Sequence, residues 1–326
     1  MSDPPENIRR GWISRLAYYL FLLLVTSLGL PQLPIHFLGL DVLVTDLLFL
    51  LAATLWGMSI LLRQQRIVWL NFYWVLGAYL IAMLISTLFS ADRMTSLRRF
   101  PEEGYLICLA VLAINIIHSE SDLKRVIYAW LFGTFIALFI GISTIGIFYL
   151  MPTSWLLEYL TYHYGSVPVG KYPRITAGFV SASMFCNYLN VGLVLALFAA
   201  AERWLPKLAV ALIVTIVIAS IFTFSIGLGG VALAIALCTW FFLGLQRSIK
   251  GGVLVTGCLA SLFFLFISLF ALAPYPGAVI LWKVQFINLE LLPSARMLVW
   301  SDAIGTFLSH PLTGIGLGEP VPALFS

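Results

Sequence analysis

Nine runs of mostly apolar residues, each near the length of a membrane span, constrain this chain more than any other feature. They fall near residues 16–31, 42–62, 67–89, 103–117, 123–150, 178–200, 207–224, 227–245 and 252–273. About 20 apolar residues in a helix cover the roughly 30 Å of hydrocarbon in a bilayer. Lipid offers no water to the backbone, so a helix is the form such a run takes. The fourth run is short, and the seventh and eighth also read as one re-entrant hairpin around Gly227, Gly229 and Gly230. Composition agrees: 61% of residues are hydrophobic and 10% charged, against about 45–50% and 25% in soluble domains. These values exclude a water-soluble globular enzyme, a disordered chain and a secreted disulfide scaffold. The expected fold class is all-α: a polytopic transmembrane helical bundle of nine spans over residues 1–273, then an outer segment, 274–326, carrying an amphipathic helix.

Charge placement sets an expected orientation. With the N-terminus in the cytoplasm, Arg9, Arg10, Arg15, Arg63, Arg66, Lys124, Arg125, Arg203, Lys207, Arg247 and Lys250 lie inside, eleven of the eighteen basic residues. That arrangement satisfies the positive-inside rule. The start MSDPPENIRRGWISRLAYYL lacks a small-residue cleavage site after its apolar run, so it reads as a retained first span. A net charge of +4 fits topology signals and gives no case for nucleic acid as a partner. Cys108, Cys186, Cys238 and Cys258 all lie in apolar runs without metal-ligand spacing, and read as small hydrophobes.

Two segments expected on the outer side exceed the length of simple connections. Residues 151–177 hold Trp155, Glu158, Tyr159, Tyr162, His163, Tyr164, Tyr172 and Arg174, a density of aromatic residues suited to the lipid–water interface. In the second, Ser294 reads as an N-cap. Met297, Trp300, Ile304 and Phe307 then recur at helical spacing until Ser309-His310-Pro311 ends the helix.

Arg174 and Arg296 open the sixth span and the amphipathic helix, both expected at the outer boundary. A guanidinium is a planar fork of donors that matches phosphate oxygens at any relevant pH. Two of them could hold a diphosphate headgroup while its lipid tail stays in the bilayer. The same arginines could instead snorkel to lipid phosphates or pair with Glu158, Glu290 or Asp302, and chemistry alone leaves both readings open. Arg93, Arg98 and Arg99, balanced by Asp92, Glu102 and Glu103, read as a solvated cap or a headgroup-recruiting patch. Asp46 reads as interfacial. His310 and His163 are open between turn or interface residues and proton carriers. Gly314-Ile-Gly316-Leu-Gly318 follows no strand, which excludes a nucleotide loop and leaves a flexible bend. There is no Walker motif, zinc spacing, nucleophile elbow or chain of buried ionisable residues.

Three segments together carry a resemblance. They are Ile85–Leu97, with Ser86, Ser90 and Asp92 in an S-x-x-x-S-x-D pattern; Arg174-Ile-Thr-Ala-Gly-Phe179 with Phe185-Cys-Asn-Tyr-Leu189; and Arg296-Met-Leu-Val-Trp300 followed by His310-Pro-Leu-Thr-Gly-Ile-Gly-Leu-Gly318. They are similar to segments of the O-antigen ligase and O-antigen polymerase superfamily of bacterial polytopic membrane proteins. The resemblance implies an all-helical, multi-pass protein of the bacterial inner (plasma) membrane with a large periplasmic loop. It implies transfer of a glycan from an undecaprenyl diphosphate carrier to a lipid A core or another glycan acceptor, with no cofactor and no metal.

On that resemblance Arg174 and Arg296 bind the diphosphate and Arg99 recruits it more weakly. Tyr162, Tyr164 and Trp300 would flank the sugar, since aromatic faces suit sugar C–H surfaces. Polymerase, non-enzymatic transporter and inactive relative stand as alternatives. Three departures mark this chain. Ala182-Ser183 stands where the family has a Pro-Asn pair, and Ile226 replaces an arginine in Ser225-Ile226-Gly227. The family's histidine base belongs to a His-Asn segment downstream of the glycine bend, so the expectation is a C-terminally shortened relative or a fragment, with the catalytic residue unknown.

Overall fold

The computed structural model describes residues 11–31, 35–37, 40–151, 161–165, 170–204, 206–242, 244, 246–271, 284–286, 289–293 and 295–317. Among them the chain is all-α. Its helices are α1 (Trp12–Ser27), α2 (Val44–Leu61), α3 (Phe72–Leu88), α4 (Arg93–Ile116), α5 (Glu120–Leu150), α6 (Ala182–Ala201), α7 (Pro206–Phe222), α8 (Leu228–Phe242), α9 (Arg247–Leu269) and α10 (Ala295–Ser309). Four of these, α2, α5, α6 and α9, are long and apolar enough to cross a membrane; α1, α3, α7 and α8 are apolar but shorter. On α9, Val255, Leu259, Leu262 and Phe263 are all exposed. A helix so apolar and so bare has lipid as its favourable surroundings.

Helix starts follow local chemistry. Asp92 caps α4 by accepting from the Met94 and Thr95 amides, both at 3.1 Å, and from the Thr95 hydroxyl at 2.6 Å. That cap lets the helix begin at Arg93, ten residues before the apolar run that the sequence places at 103–117, and carry Pro101 in its interior. Ser119 caps α5 by accepting from the Asp122 amide, while Asp122 Oδ2 accepts from the His118 amide. Asp46 Oδ2 accepts from the Leu43 amide at 3.0 Å and closes the start of α2, so this acid has a structural role at a helix start.

The chain divides into two compact units, Met1–Gln64 with His118–Leu265, and Gln65–Ile117 with Phe266–Ser326. In the first, α6 is the axis of the core. Phe185, Leu189, Leu193 and Ala196 pack with Ala137 and Leu138 of α5, Leu212, Ile216 and Ala219 of α7, and Val231 of α8. Small residues let backbones approach, the usual device where no hydrophobic effect drives helices together in lipid. A Cβ on Gly192 would meet the Thr134 side chain at 2.8 Å, and one on Gly133 would meet the Thr26 carbonyl of α1 at 2.5 Å. Residues 161–175 include an antiparallel ribbon, β3 (Thr161–Gly165) and β4 (Gly170–Ile175), in which Tyr162 pairs with Arg174. Trp155, Glu158 and Tyr159 lie outside the described residues. A shorter ribbon, β1 (Ile35–Phe37) with β2 (Leu40–Val42), links α1 to α2.

In the second unit, α3 and α4 form a hairpin. Buried Asn115 ties one end: its Oδ1 accepts from the Val68 amide at 2.8 Å, and its Nδ2 donates to Tyr73 Oη at 2.7 Å and to the Val111 carbonyl at 2.8 Å. Three short strands, β5 (Phe270–Ala271), β6 (Val284–Phe286) and β7 (Leu289–Pro293), assemble in the order β5-β7-β6. β5 pairs with β7 so that Phe270 faces Pro293, which brings the end of α9 to the start of α10.

Candidate functional site

In the first unit the site is built around a break between two apolar helices. Helix α7 stops at Phe222, Phe224 takes a left-handed φ of +44°, and α8 starts again at Leu228. The last carbonyls of a helix have no intrahelical donor and carry partial negative charge. Arg174 reaches this negative end from the end of β4 and bonds the two carbonyls just past the helix: Nε donates to the Thr223 carbonyl at 2.9 Å and Nη2 to the Phe224 carbonyl at 3.1 Å. The rest of the turn is satisfied from α6 and from within. Ser225 Oγ donates to Ser183 Oγ and accepts from the Gly227 amide, both at 3.1 Å, and Asn190 Nδ2 donates to the Gly227 carbonyl at 3.2 Å. Gly227 has no room for a side chain, since a Cβ would stand 2.7 Å from Cys186 Sγ. Beside the break lies a cavity of about 180 Å³ lined by Ile226, Gly229, Gly230, Leu233, Ser261 and Leu265. Ser261 Oγ donates to the Gly229 carbonyl at 2.6 Å.

The second unit holds a different cluster. Ser96 Oγ donates to Ser90 Oγ at 2.8 Å and lies 3.1 Å from the Leu317 carbonyl as a second acceptor. Gly314 and Gly316 take φ values of +65° and +115°, conformations that suit glycine. A Cβ on Gly316 would collide with the Ser90 and Ser96 hydroxyls, and one on Gly314 would stand 3.0 Å from Ser86 Oγ. The bend is therefore seated among serines of the α3 end, the α3–α4 connection and the α4 start rather than loose. Gly318 lies outside the described residues.

The residues singled out from the sequence fall into these two settings. Arg174 belongs to the first unit, and Arg296, Arg99 and Trp300 to the second. Arg296 Nη1 donates to Ser268 Oγ at 3.0 Å, a neighbour supplied by the β5–β7 register. Trp300, one helical turn on, is exposed, as are Ile304 and Phe307, so three of the four residues of the apolar stripe expected on α10 are bare, while Met297 is half-buried. Arg99 is exposed and bonded to Glu102 Oε2 at 2.6 Å; that hydrogen bond and the charge behind it hold its proton more tightly than usual. Asp92 is held below the usual carboxylate range, first by the Thr95 hydroxyl and then by the Thr95 amide. His310 Nδ1 lies 2.9 Å from Ser309 Oγ in the turn that ends α10. Tyr162 and Tyr164 are placed by backbone in β3, opposite Arg174 and Lys171; their side chains, like that of His163, lie outside the described residues, as does Ser294.

Ser86 and Ser90 stand in the sequence within a pattern that assigns them no role, and Ser96, Ser183 and Asn190 carry no signal of their own. The usable signal is the pairing of a serine-rich turn with a glycine-rich bend, because a backbone that must approach hydroxyls closely needs residues without Cβ. No family model matches the chain, and no curated protein or solved structure gives a significant match.

Proposed function

We propose that this chain is an O-antigen ligase-like membrane protein. In this reading it takes a glycan from an undecaprenyl diphosphate carrier and passes it to a lipid A core or another saccharide acceptor. The bundle has nine spans with the N-terminus in the cytoplasm, and chemistry takes place on the periplasmic face of a bacterial inner membrane. The observation that carries the reading is the meeting of two family-like segments: Ser96, from Ile85–Leu97, contacts the Leu317 carbonyl of the glycine bend across 221 residues of chain.

The transfer breaks an anomeric C–O bond and builds charge on the departing diphosphate. Cations fixed in advance stabilise that charge more in the transition state than in the bound substrate. Arg174 is fixed by its two carbonyl bonds and Arg296 by Ser268, and these are the diphosphate ligands proposed. Arg99 is a weaker recruiter, and Trp300, Tyr162 and Tyr164 flank the sugar. The acceptor hydroxyl needs a base, a separate role for which no residue is proposed. One observation favours a second reading, a non-enzymatic membrane component: the Arg174 guanidinium already serves as a cap for α7.

The test is reconstitution of the chain in liposomes with an undecaprenyl diphosphate-linked oligosaccharide and a lipid A core acceptor. Release of undecaprenyl diphosphate in step with glycosylated acceptor supports transfer. Solute flux without any carrier-linked glycan, and no transfer with it, rejects the enzyme in favour of a transporter.

A further inference from the structure

Between α5 and α7 the first unit leaves an open groove of about 310 Å³. Its lining includes Phe135, Leu138 and Phe139 of α5 and Leu208, Ala211 and Leu212 of α7, with Ser143 and Thr215 as the only hydroxyls. Thr215 Oγ1 is turned to the Ala211 carbonyl at 2.8 Å, so the groove presents a nearly hydrocarbon wall. Leu138 and Leu212 are buried in the groove, while Phe135, Phe139 and Leu208 stand exposed. On α7 the lining runs from Leu208 to Thr215, about 10 Å at 1.5 Å per residue.

The Leu208 end of the groove adjoins a cationic and aromatic girdle. Exposed Lys207 precedes Leu208 in the chain, and Trp204 stands three residues earlier. Lys124 Nζ lies 4.7 Å from the centre of the Trp204 ring, and Tyr128 meets that ring edge-on at 6.3 Å. Tryptophan, tyrosine and lysine grouped at helix ends mark the headgroup level of a bilayer. Arg125 and Arg203 stand at the same helix ends, against the carboxylates Glu120, Asp122 and Glu202. The balance is positive.

We propose that this groove holds one acyl chain of a phospholipid with an anionic headgroup, whose phosphate lies at Lys207. The hydrocarbon wall selects a chain, and the surplus of cations at its mouth selects net negative charge over a zwitterion. Nothing in this proposal depends on the glycan-transfer reading.

The test uses the full chain in nanodiscs of phosphatidylcholine with a minority of phosphatidylglycerol, followed by native mass spectrometry of retained lipid. Phosphatidylglycerol should be retained above its share of the bilayer. Lys207→Gln should cut that excess about fivefold, and Ala211→Phe, which fills the groove, should abolish it. Photoactivatable phosphatidylglycerol, applied to the wild-type chain, should cross-link to peptides covering 135–143 and 208–215, a readout that needs no variant to fold. Equal retention of the two lipids, cross-links confined to other helices, or displacement of the lipid by soluble glycerol phosphate would each overturn the proposal.

Discussion

Ser96 Oγ and the Leu317 carbonyl oxygen stand 3.1 Å apart although 221 residues separate them in the chain. The contact is possible because Gly314 and Gly316 bring bare backbone against the α3–α4 turn, where a side chain would strike Ser86, Ser90 or Ser96. Seating the bend there makes the C-terminal part of the described chain one folding element with α3 and α4.

Gly316→Ala should therefore be destabilising on two counts, a φ of +115° and a collision with two hydroxyls. Gly305→Ala is the contrast: it lies within α10, and a Cβ there would meet nothing within 4 Å, so alanine should be neutral or add about 0.5–1 kcal/mol. The thermal midpoint in detergent, with proteolysis of the segment after α10 as a local probe, should fall for Gly316→Ala and hold or rise for Gly305→Ala. Equal midpoints would show that the bend is not seated.

Arg174→Ala leaves the Thr223 and Phe224 carbonyls without their guanidinium donor, at a cost of about 1–3 kcal/mol. Arg174→Lys keeps the charge at the end of α7 but not the fork, and should fall between alanine and wild type. Denaturation of the three proteins gives the order. An alanine variant as stable as wild type would remove the capping role.

Gly133→Val should separate α1 from α5, because its Cβ would stand 2.5 Å from the Thr26 carbonyl. Backbone on both sides cannot yield as a side chain can, so the loss should be on the order of 1–3 kcal/mol. A cysteine pair placed across α1 and α5 should cross-link more slowly in the valine variant.

Asp92 supplies a pH dependence of definite sign. Its carboxyl is held below its ordinary 3.8 by the Thr95 hydroxyl and amide, so its contribution is fully present above that unfolded-state value and is lost as pH falls through the lower folded value. The stability difference between wild type and Asp92→Ala should be level at neutral pH and shrink in the acid range. A difference that grew on acidification would contradict the cap.

The helical class was legible because apolar runs of span length leave the backbone few alternatives. Boundaries were less so. The start of α4 moved to Arg93 because a single side chain, Asp92, outweighed the polar composition of residues 93–102. The α7–α8 break around Gly227 was visible as glycine clustering, but nothing in the sequence announced that Arg174 would cap it, since that bond depends on where β4 ends. Arg174 and Arg296 stand out in the sequence for their charge at the starts of a span and of the amphipathic helix; their bonds to carbonyls and to Ser268 are products of long-range packing. The serine–glycine contact was hidden for the same reason: each half is ordinary alone, and only the fold joins them.

The central claim is that guanidinium groups bind a lipid-linked diphosphate, and Arg296 tests it more cleanly than Arg174, whose guanidinium also caps α7. The measurement is binding of a short-chain polyprenyl diphosphate, and of the matching monophosphate, to the full chain and to Arg296→Ala, with Ser268→Ala as the variant that keeps the guanidinium. The diphosphate reading predicts tighter binding of the diphosphate, a loss of about tenfold in Arg296→Ala, and a smaller loss in Ser268→Ala. Equal affinity for the two lipids, or an Arg296→Ala protein that binds the diphosphate as wild type does, would contradict it.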